Sequence, residues 1–309
     1  MQNRIISLIP ISLINLVFLF NPALRLENKA VVTWQTDSLR QNDEPKCSDC
    51  HLELITKKTV HPPASESCEN CHTVKIKEHT DGNGKGLGLS DNVPGLCYTC
   101  HDGIKNFLDT VKFVHQAVKS VKSCTGCHSP HSSDEKKLLV SDEKKMCLAC
   151  HNRDVNETGR KVLNMDKLLT NSKVIHPVLE SDGCIVCHNP HGSTNTNMLK
   201  DAFPTGKYAP LRKEVYGLCW QCHDSEMLTA QTTSATNFRN GNKNLHTVHS
   251  FEKSGRTCTM CHNVHAAPNE HLIENKVQFG EWEMPLKYAP RQNGGSCFPG
   301  CHSGKSYTR

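Results

Sequence analysis

The chain has 309 residues, of which 36% are hydrophobic and 6% aromatic, against roughly 45–50% apolar residues in an ordinary soluble domain. This composition excludes a conventional domain whose interior is filled by side chains, and 18 cysteines and 19 histidines indicate that another group fills it. The formal net charge is +5 at pH 7, a modest excess of cations.

Residues 1–30 have the pattern of a secretory signal peptide. Arg4 precedes an apolar run over residues 5–20 that only four other residues interrupt. The run is shorter than the roughly 20 residues that span a bilayer. An uncleaved membrane anchor is the alternative, and Ala23 and Ala30 are the candidate small residues at a cleavage site. The mature protein is therefore expected to be periplasmic or exported, with no stable membrane span.

Nine cysteine motifs occupy the rest of the chain. Eight have the form Cys-x-x-Cys-His, and the ninth, which starts at Cys297, has one extra residue between its cysteines. Together they use all the cysteines, which are Cys47, Cys50, Cys68, Cys71, Cys97, Cys100, Cys124, Cys127, Cys147, Cys150, Cys184, Cys187, Cys219, Cys222, Cys258, Cys261, Cys297 and Cys301. The histidines that directly follow are His51, His72, His101, His128, His151, His188, His223, His262 and His302.

This spacing indicates covalently bound haem. Two thiols three positions apart lie on one side of a helical turn, where each can form a thioether with one vinyl group of a porphyrin. The next residue then lies under the iron, and histidine there supplies an imidazole ligand. A zinc site also uses Cys-x-x-Cys, but it needs two further ligands and gives no reason for the histidine. A redox disulfide would account for one pair of cysteines but not for nine.

We therefore expect nine covalently attached haem c groups, and they change the meaning of the net charge. Without residues 1–30, which carry three cations and one anion, the chain has a charge of +3. A haem with ionised propionates adds about −1 when ferric and about −2 when ferrous. The holoprotein is then negative, so the excess of cations in the chain predicts no nucleic-acid partner.

From residue 61 onward the motifs come in pairs that repeat four times. A leading histidine precedes the first cysteine of every pair by seven to nine residues. Three pairs have a second histidine three positions after the first motif histidine, and an apolar pair of residues, such as Leu138 and Leu139, follows seven positions later. The first pair departs from this pattern, because His79 comes seven positions after His72. The sequence predicts a leading segment with one haem in residues 31–60 and repeats 1 to 4 in residues 61–114, 115–175, 176–245 and 246–309.

Ten histidines lie outside the motifs, and nine haems need nine second axial ligands. The ten are His61, His79, His115, His131, His176, His191, His246, His249, His265 and His271. The repeat accounts for eight of them, and the ninth ligand is His246 or His271 if every haem is six-coordinate. A histidine three residues after its motif histidine cannot easily reach the opposite face of the same haem, so we expect it to bind a neighbouring one. Methionine is the alternative ligand, but the six methionines of the mature chain are expected to pack against other side chains.

This arrangement resembles the doubled Cys-x-x-Cys-His domain of multihaem c-type cytochromes, related to the cytochrome c3-like families and to decahaem periplasmic electron carriers. The resemblance covers about residues 47–302 and implies bis-histidine haems that are close neighbours.

The mature chain has roughly 31 residues for each haem, fewer than the roughly 50 of a small domain, so haems must pack against one another. The expected fold is mostly irregular, with short α-helices, little strand and an elongated array of stacked haems. Helical turns should carry the motifs, and an amphipathic helix is expected over residues 103–121.

The leading functional prediction is an electron carrier outside the cytoplasm with no catalytic residues, because six-coordinate irons leave no open position for a substrate. One alternative is a multihaem reductase acting on nitrite, hydroxylamine or tetrathionate, which needs one open haem. Another is a subunit of an extracellular cytochrome filament. The expected partners are other redox proteins, namely cytochromes, quinone-linked oxidoreductases or terminal reductases, and further copies of the chain in the filament alternative.

Overall fold

The computed structural model of the chain describes residues 46–74, 87–157, 160–250 and 253–309. The predicted signal peptide and His79 lie outside the described residues. Within the described ranges the backbone forms short elements joined by turns. No helix among them is long and apolar enough to cross a membrane.

The α-helices of the described residues have four to nine residues each. They are α1 (Cys47–Cys50), α2 (Pro62–Glu66), α3 (Gly95–Tyr98), α4 (Asp102–Thr110), α5 (Gln116–Lys119), α6 (Glu143–Leu148), α7 (Met165–Asn171), α8 (Val178–Ser181), α9 (Lys213–Tyr216) and α10 (Glu226–Thr229). Short 3-10 helices lie at Leu52–Ile55, Cys68–Asn70, Ser123–Gly126, Lys136–Leu138, Cys184–Val186, Thr196–Met198, Cys219–Gln221, Cys258–Met260 and Glu270–Leu272. The prediction of short helices is confirmed.

The strands have two to four residues, and no sheet in the described part of the chain has more than three strands. They are β1 (Thr59–Val60), β2 (His72–Val74), β3 (Leu87–Leu89), β4 (Phe113–Val114), β5 (Ser132–Ser133), β6 (Val155–Glu157), β7 (Arg160–Val162), β8 (Val174–Ile175), β9 (Gly192–Ser193), β10 (Tyr208–Ala209), β11 (Arg239–Asn240), β12 (Lys243–Asn244), β13 (Gly255–Arg256), β14 (Ala266–Ala267), β15 (Lys276–Phe279), β16 (Trp282–Pro285), β17 (Ala289–Arg291), β18 (Gly294–Cys297) and β19 (Lys305–Thr308). Strand is therefore scarce, as predicted.

The predicted helix over residues 103–121 is wrong as one continuous helix, because it is divided into α4 and the short α5. Ile104, Phe107 and Leu108 give α4 one apolar face, with the spacing of three and four residues that a helix requires. The helix ends at Thr110, and β4 then pairs antiparallel with β9 in repeat 3. This long-range pairing outweighs the local preference for helix, which is a weak determinant when tertiary contacts compete with it.

Three pairs of short strands hold the leading histidine of one repeat against the following repeat. β1 pairs with β5, β4 with β9 and β8 with β14, all antiparallel. Each pair joins the strand just before a leading histidine to the strand just after the second histidine of the following repeat. The amide of the leading histidine donates to the carbonyl of that second histidine at 2.8–3.1 Å, in the pairs His61–His131, His115–His191 and His176–His265. Non-motif histidines of adjacent repeats therefore lie side by side.

A side-chain core exists only toward the C-terminus. All the hydrophobic residues that are buried among the described ones lie at Leu199 or later. Met260, Val277, Met284 and Leu286 form one cluster, in which Val277 belongs to β15 and Met284 to β16. After this hairpin, β17, β18 and β19 form an antiparallel sheet. Repeats 1 and 2 have no comparable cluster among their described residues.

Candidate haem sites

Helical turns carry eight of the nine motifs, as predicted. In seven of them the amide of the motif histidine donates to the carbonyl of the first cysteine at 2.9–3.1 Å. The bonds are His51–Cys47, His101–Cys97, His128–Cys124, His151–Cys147, His188–Cys184, His223–Cys219 and His262–Cys258. In the second motif the corresponding turn is closed from Cys71 to Cys68 at 3.2 Å. The ninth motif differs, because Cys297 is the last residue of β18 and no helical turn follows it.

One cavity of about 3240 Å³ connects the motifs, several times the roughly 300–1,000 Å³ of an ordinary ligand pocket. All nine motif histidines line it, together with sixteen of the cysteines and many aliphatic side chains. Every non-motif histidine among the described residues lines it too. A continuous apolar space with this set of donors fits several large covalently attached cofactors in mutual contact.

Six motif histidines each face a non-motif histidine, with ring centres 6.0–6.3 Å apart. The pairs are His101 with His61, His72 with His131, His151 with His115, His128 with His191, His223 with His176, and His188 with His265. A metal–imidazole bond of about 2 Å on each side, with the half-width of each ring added, spans about 6 Å. The spacing of all six pairs therefore fits one metal ion between two imidazoles.

The pairs follow one rule. A leading histidine, such as His61, faces the second motif histidine of its own repeat, here His101. The second non-motif histidine of a repeat, such as His131, faces the first motif histidine of the preceding repeat, here His72. The strand pairs between repeats explain this, since they place both non-motif histidines at one junction. The structure thus brings the histidine three positions after a motif toward a neighbouring site.

Repeat 4 has two further non-motif histidines, His246 and His249, just before its first motif. Burial, with smaller contributions from the nearby His262 and His249, lowers the pKa of His246 to about 4. Burial also lowers the pKa of His249, and His302 is one of the charged neighbours that add to this effect. His262 therefore contributes to the lowered pKa of His246, and His302 contributes to that of His249.

The second nitrogen of many of these rings is held by a backbone carbonyl. His61 Nδ1 lies 2.9 Å from the carbonyl oxygen of Pro130, and His115 Nδ1 lies 3.0 Å from that of Pro190. His249 Nδ1 lies 2.9 Å from the carbonyl oxygen of Leu245. When Nδ1–H donates to a carbonyl, Nε2 carries the lone pair and the orientation of the ring is fixed, as is usual for metal-bound histidine.

Three motif histidines use a left-handed turn for the same purpose. The Nδ1 atoms of His128, His188 and His262 lie 2.7–2.9 Å from carbonyl oxygens nine residues further on. The acceptors are Lys137, Asn197 and His271, each with φ of 57–59°. Sequence reasoning missed these acceptors, although the repeated apolar pair that directly follows each of them marks the position. Because lysine and asparagine fill the same place in repeats 2 and 3, the function of this position needs only a carbonyl, not an imidazole.

Burial favours the neutral form of several facing rings, which is the form that binds a metal. It lowers the pKa of His131, His191 and His188, and it lowers the pKa of His265 to about 4, with smaller contributions from His188 and His176. No acidic side chain is among the causes of these four shifts. The rings are therefore present as neutral donors at physiological pH.

Thiols of consecutive motifs interact with one another. Burial raises the pKa of Cys97 to about 11, and thiols of the motifs before and after it add to the rise. A hydrogen bond with Cys184 is the largest cause of the raised pKa of Cys147, and the same bond lowers the pKa of Cys184 to about 7. In chain order, the pairs in which one thiol shifts the pKa of the other are Cys47–Cys68, Cys71–Cys97, Cys97–Cys124, Cys127–Cys150, Cys147–Cys184, Cys187–Cys222, Cys219–Cys258 and Cys261–Cys297. They form an unbroken series from the first motif to the ninth.

Comparisons with known proteins agree with this geometry. The family described as "Doubled CXXCH motif" matches residues 61–106, 115–156 and 176–228. The multiheme cytochrome MtrA of Shewanella baltica (strain OS185) is 27% identical over 170 residues, which are 52% of this chain and 43% of that relative. The chain is a multihaem c-type cytochrome. The three matched stretches of the cytochrome contain six of its nine motifs, and its similarity to the relative spans less than half of the relative's length.

Proposed function

We propose that the cytochrome carries electrons outside the cytoplasm along nine covalently attached haems, each bound by two histidines. The six opposed histidine pairs carry this proposal, because two imidazoles on one iron leave no position open for a substrate. Bound haem supplies a reversible one-electron couple, and ligation by histidine alone favours a lower potential than ligation that includes methionine. The chain itself holds the ligands in place, and burial favours the neutral form of several of them.

The same rule extends the ligand set to the remaining sites. His246 serves the site of His262, and His249 serves that of His302. His51 then needs one more histidine, and His79 is our candidate because the turn position of His271 needs only a backbone carbonyl. In repeat 1 the place of the second non-motif histidine is taken by Lys75. No repeat precedes repeat 1, so a histidine there has no first-motif site to serve, and His79 supplies the leading motif instead.

The series of interacting thiols supports a path in chain order. Each motif interacts through a cysteine with the motif before it and the motif after it, from Cys47 to Cys297. Haems attached to these thiols would form a single elongated row without branches. The first and the last haem of such a row are the places where electrons pass to and from other redox proteins.

The partners and the location of the protein follow from the same class. A haem row suits transfer between two partners at opposite ends, such as a quinone-linked oxidoreductase or cytochrome and a terminal reductase. The signal-peptide pattern of residues 1–30 and the oxidised environment in which c-type haems are attached support a periplasmic or extracellular location. A role in extracellular electron transfer is consistent with both.

Carbon monoxide binding to the reduced cytochrome tests the proposal. We expect a wild-type mass that includes nine haems and no carbon monoxide binding to any of them. His79→Ala should open one haem of the nine, and the matched variant His271→Ala should open none. Carbon monoxide binding by the wild type would favour the reductase alternative, and an open haem in the His271 variant would contradict our ligand assignment.

A further inference from the structure

The ninth motif has a structural support that the other eight lack. Its cysteines are separated by Phe298, Pro299 and Gly300, and Cys297 belongs to β18, where it pairs with Lys305 of β19. The helical turn that places the histidine in the other motifs is therefore missing. Another element must hold this segment if His302 is to face His249.

The hairpin of β15 and β16 lies directly against the widened motif. The amide of Phe298 donates to the carbonyl of Leu286 at 3.2 Å, and the amide of Gly300 donates to the carbonyl of Pro285 at 3.3 Å. These bonds run from the residues between the two cysteines to the end of β16. They replace the hydrogen bonds within a turn that the other motifs use.

Trp282 fixes the position of Gly300. A side chain on Gly300 would overlap the Trp282 ring, because an added Cβ atom would lie within 2.9 Å of three of its carbons. Trp282 itself is 48% exposed, so its ring forms an outer wall over the motif more than a part of the core. Only glycine leaves enough room at this place for the backbone to pass beneath the ring.

Met284 contacts the second cysteine of the motif. The thiol of Cys301 lies 3.2 Å from Met284 Sδ. Met284 is 1% exposed and belongs to the cluster that contains Met260, a residue of the eighth motif. The hairpin thus ties the ninth motif to the eighth through buried side chains.

His249, the proposed partner of His302, is held by the neighbouring sheet. The His249 ring stacks on Phe238 with centres 5.7 Å apart, and Phe238 meets the ring of Tyr307 in β19 at 5.3 Å. Tyr307 pairs in register with Gly295, two residues before Cys297. The position of His249 is therefore set by the same sheet that leads into the ninth motif.

We propose that the hairpin β15–β16, through Trp282 and Met284, is the positioning element that brings His302 opposite His249 in the widened motif. This inference rests on the proposed ninth haem and specifies how its ligands are set. It also explains the extra residue. The three residues between the cysteines of the ninth motif run along the end of the hairpin, whereas the two residues in each of the other motifs belong to a helical turn. Trp282 and Met284 act through the motif and are not themselves ligands.

A matched pair of glycine variants tests the inference on the exported holoprotein. Gly300→Ala and Gly126→Ala both change the residue before the second cysteine of a motif, but a Cβ atom on Gly126 meets only Lys122 Cβ, at 3.4 Å. Intact mass counts the attached haems, and electron paramagnetic resonance with carbon monoxide titration counts the haems that have lost an axial histidine. We expect Gly300→Ala to keep nine haems with one of them high-spin and open to carbon monoxide, and Gly126→Ala to keep all nine low-spin.

Trp282→Leu gives a second route to the same result, because it removes the ring and adds no overlap. It should also open one haem, partly or fully. Nine low-spin haems in both the Gly300 and Trp282 variants would overturn the role of the hairpin while leaving the proposed nine-haem carrier intact. Several opened haems in either variant would overturn it as well, because the effect would not be local. A wild-type mass with eight haems would instead overturn the ninth haem itself.

Discussion

Repeats 1 and 2 and the C-terminal region enclose haem sites by different means. The described part of repeats 1 and 2 has no buried hydrophobic side chain, and its buried side chains are small and polar, namely Ser123, Ser132 and Ser133. The chain from Leu199 onward has ten buried hydrophobic side chains, and its strands reach four residues. The first region is built around its cofactors, whereas the second also has a core of its own.

The two regions also differ in how they complete a haem site. Repeats 2 and 3 each provide a histidine that faces a motif of the preceding repeat, and a two-residue strand pair accompanies it. Repeat 4 provides a histidine that faces a motif of repeat 3 in the same way, whereas the proposed ligands of its own two motifs, His246 and His249, belong to repeat 4 itself. Histidines that face a motif of the preceding repeat thus occur in repeats 2, 3 and 4, and only the proposed ligands of the motifs in repeat 4 all come from one repeat.

Protein made without haem attachment should show the largest difference between the regions. Two-residue strand pairs offset little of the roughly 1–2 kcal/mol of backbone entropy that each ordered residue costs. We expect the amides of repeats 1 and 2 to exchange hydrogen like an unfolded chain. Amides of β15 and β16 should stay protected by at least about tenfold, which corresponds to about 1.4 kcal/mol. Hydrogen exchange read by mass spectrometry checks this, and equal exchange in both regions would show that the C-terminal core does not stand without haem.

Removing a shared histidine should loosen the repeats, whereas removing an internal one should not. His131→Ala takes a ring from repeat 2 that faces His72 in repeat 1, and His61→Ala takes a ring that faces His101 within repeat 1. Each variant should open one haem to carbon monoxide. His131→Ala should also lower the stability of the junction by about 1–3 kcal/mol, the cost of a buried polar partner left unmet.

Thermal unfolding and hydrogen exchange at β1 and β5 provide the measurement for this pair. A loss of protection on both strands is expected in the His131 variant only. Equal loss in the His61 variant would mean that the strand pair, and not the shared ligand, joins the repeats.

The sequence predicts the local parts of this molecule better than the connections between them. The helical turns at the motifs are predictable because thioether spacing requires them. The sequence predicts that a histidine such as His131 serves a neighbouring site, because it cannot easily reach the opposite face of its own haem. Its ring faces His72 of the preceding repeat. The strand pairs between repeats were not foreseen, because two residues are too few to show an alternating pattern. The pairing of β4 with β9 also explains why the predicted helix stops at Thr110. The support of the ninth motif by a hairpin is visible in the sequence only as one extra residue and Gly300.

Glu143 offers a smaller test at the junction of repeats 2 and 3. Its Oε1 atom accepts hydrogen bonds from the amides of Cys184 and Ile185 at 2.9 and 3.1 Å, and its charge contributes to the raised pKa of Cys147. Glu143→Gln keeps an acceptor but removes the charge, so we expect a loss of about 0.5–1.5 kcal/mol in stability.

The charge of Glu143 should also act on the haems attached at Cys147 and Cys184. Removing a nearby anion destabilises the ferric form more than the ferrous form, so the reduction potential of one or two of the nine haems should rise. Spectroelectrochemical titration measures this, with Glu180→Gln as the control, since Glu180 is an exposed carboxylate on α8 close to the same junction. An equal rise in both variants would show a general effect of net charge. A rise confined to the Glu143 variant would show that this junction, where the two repeats meet through a carboxylate and a pair of thiols, sets the potential of its own haems.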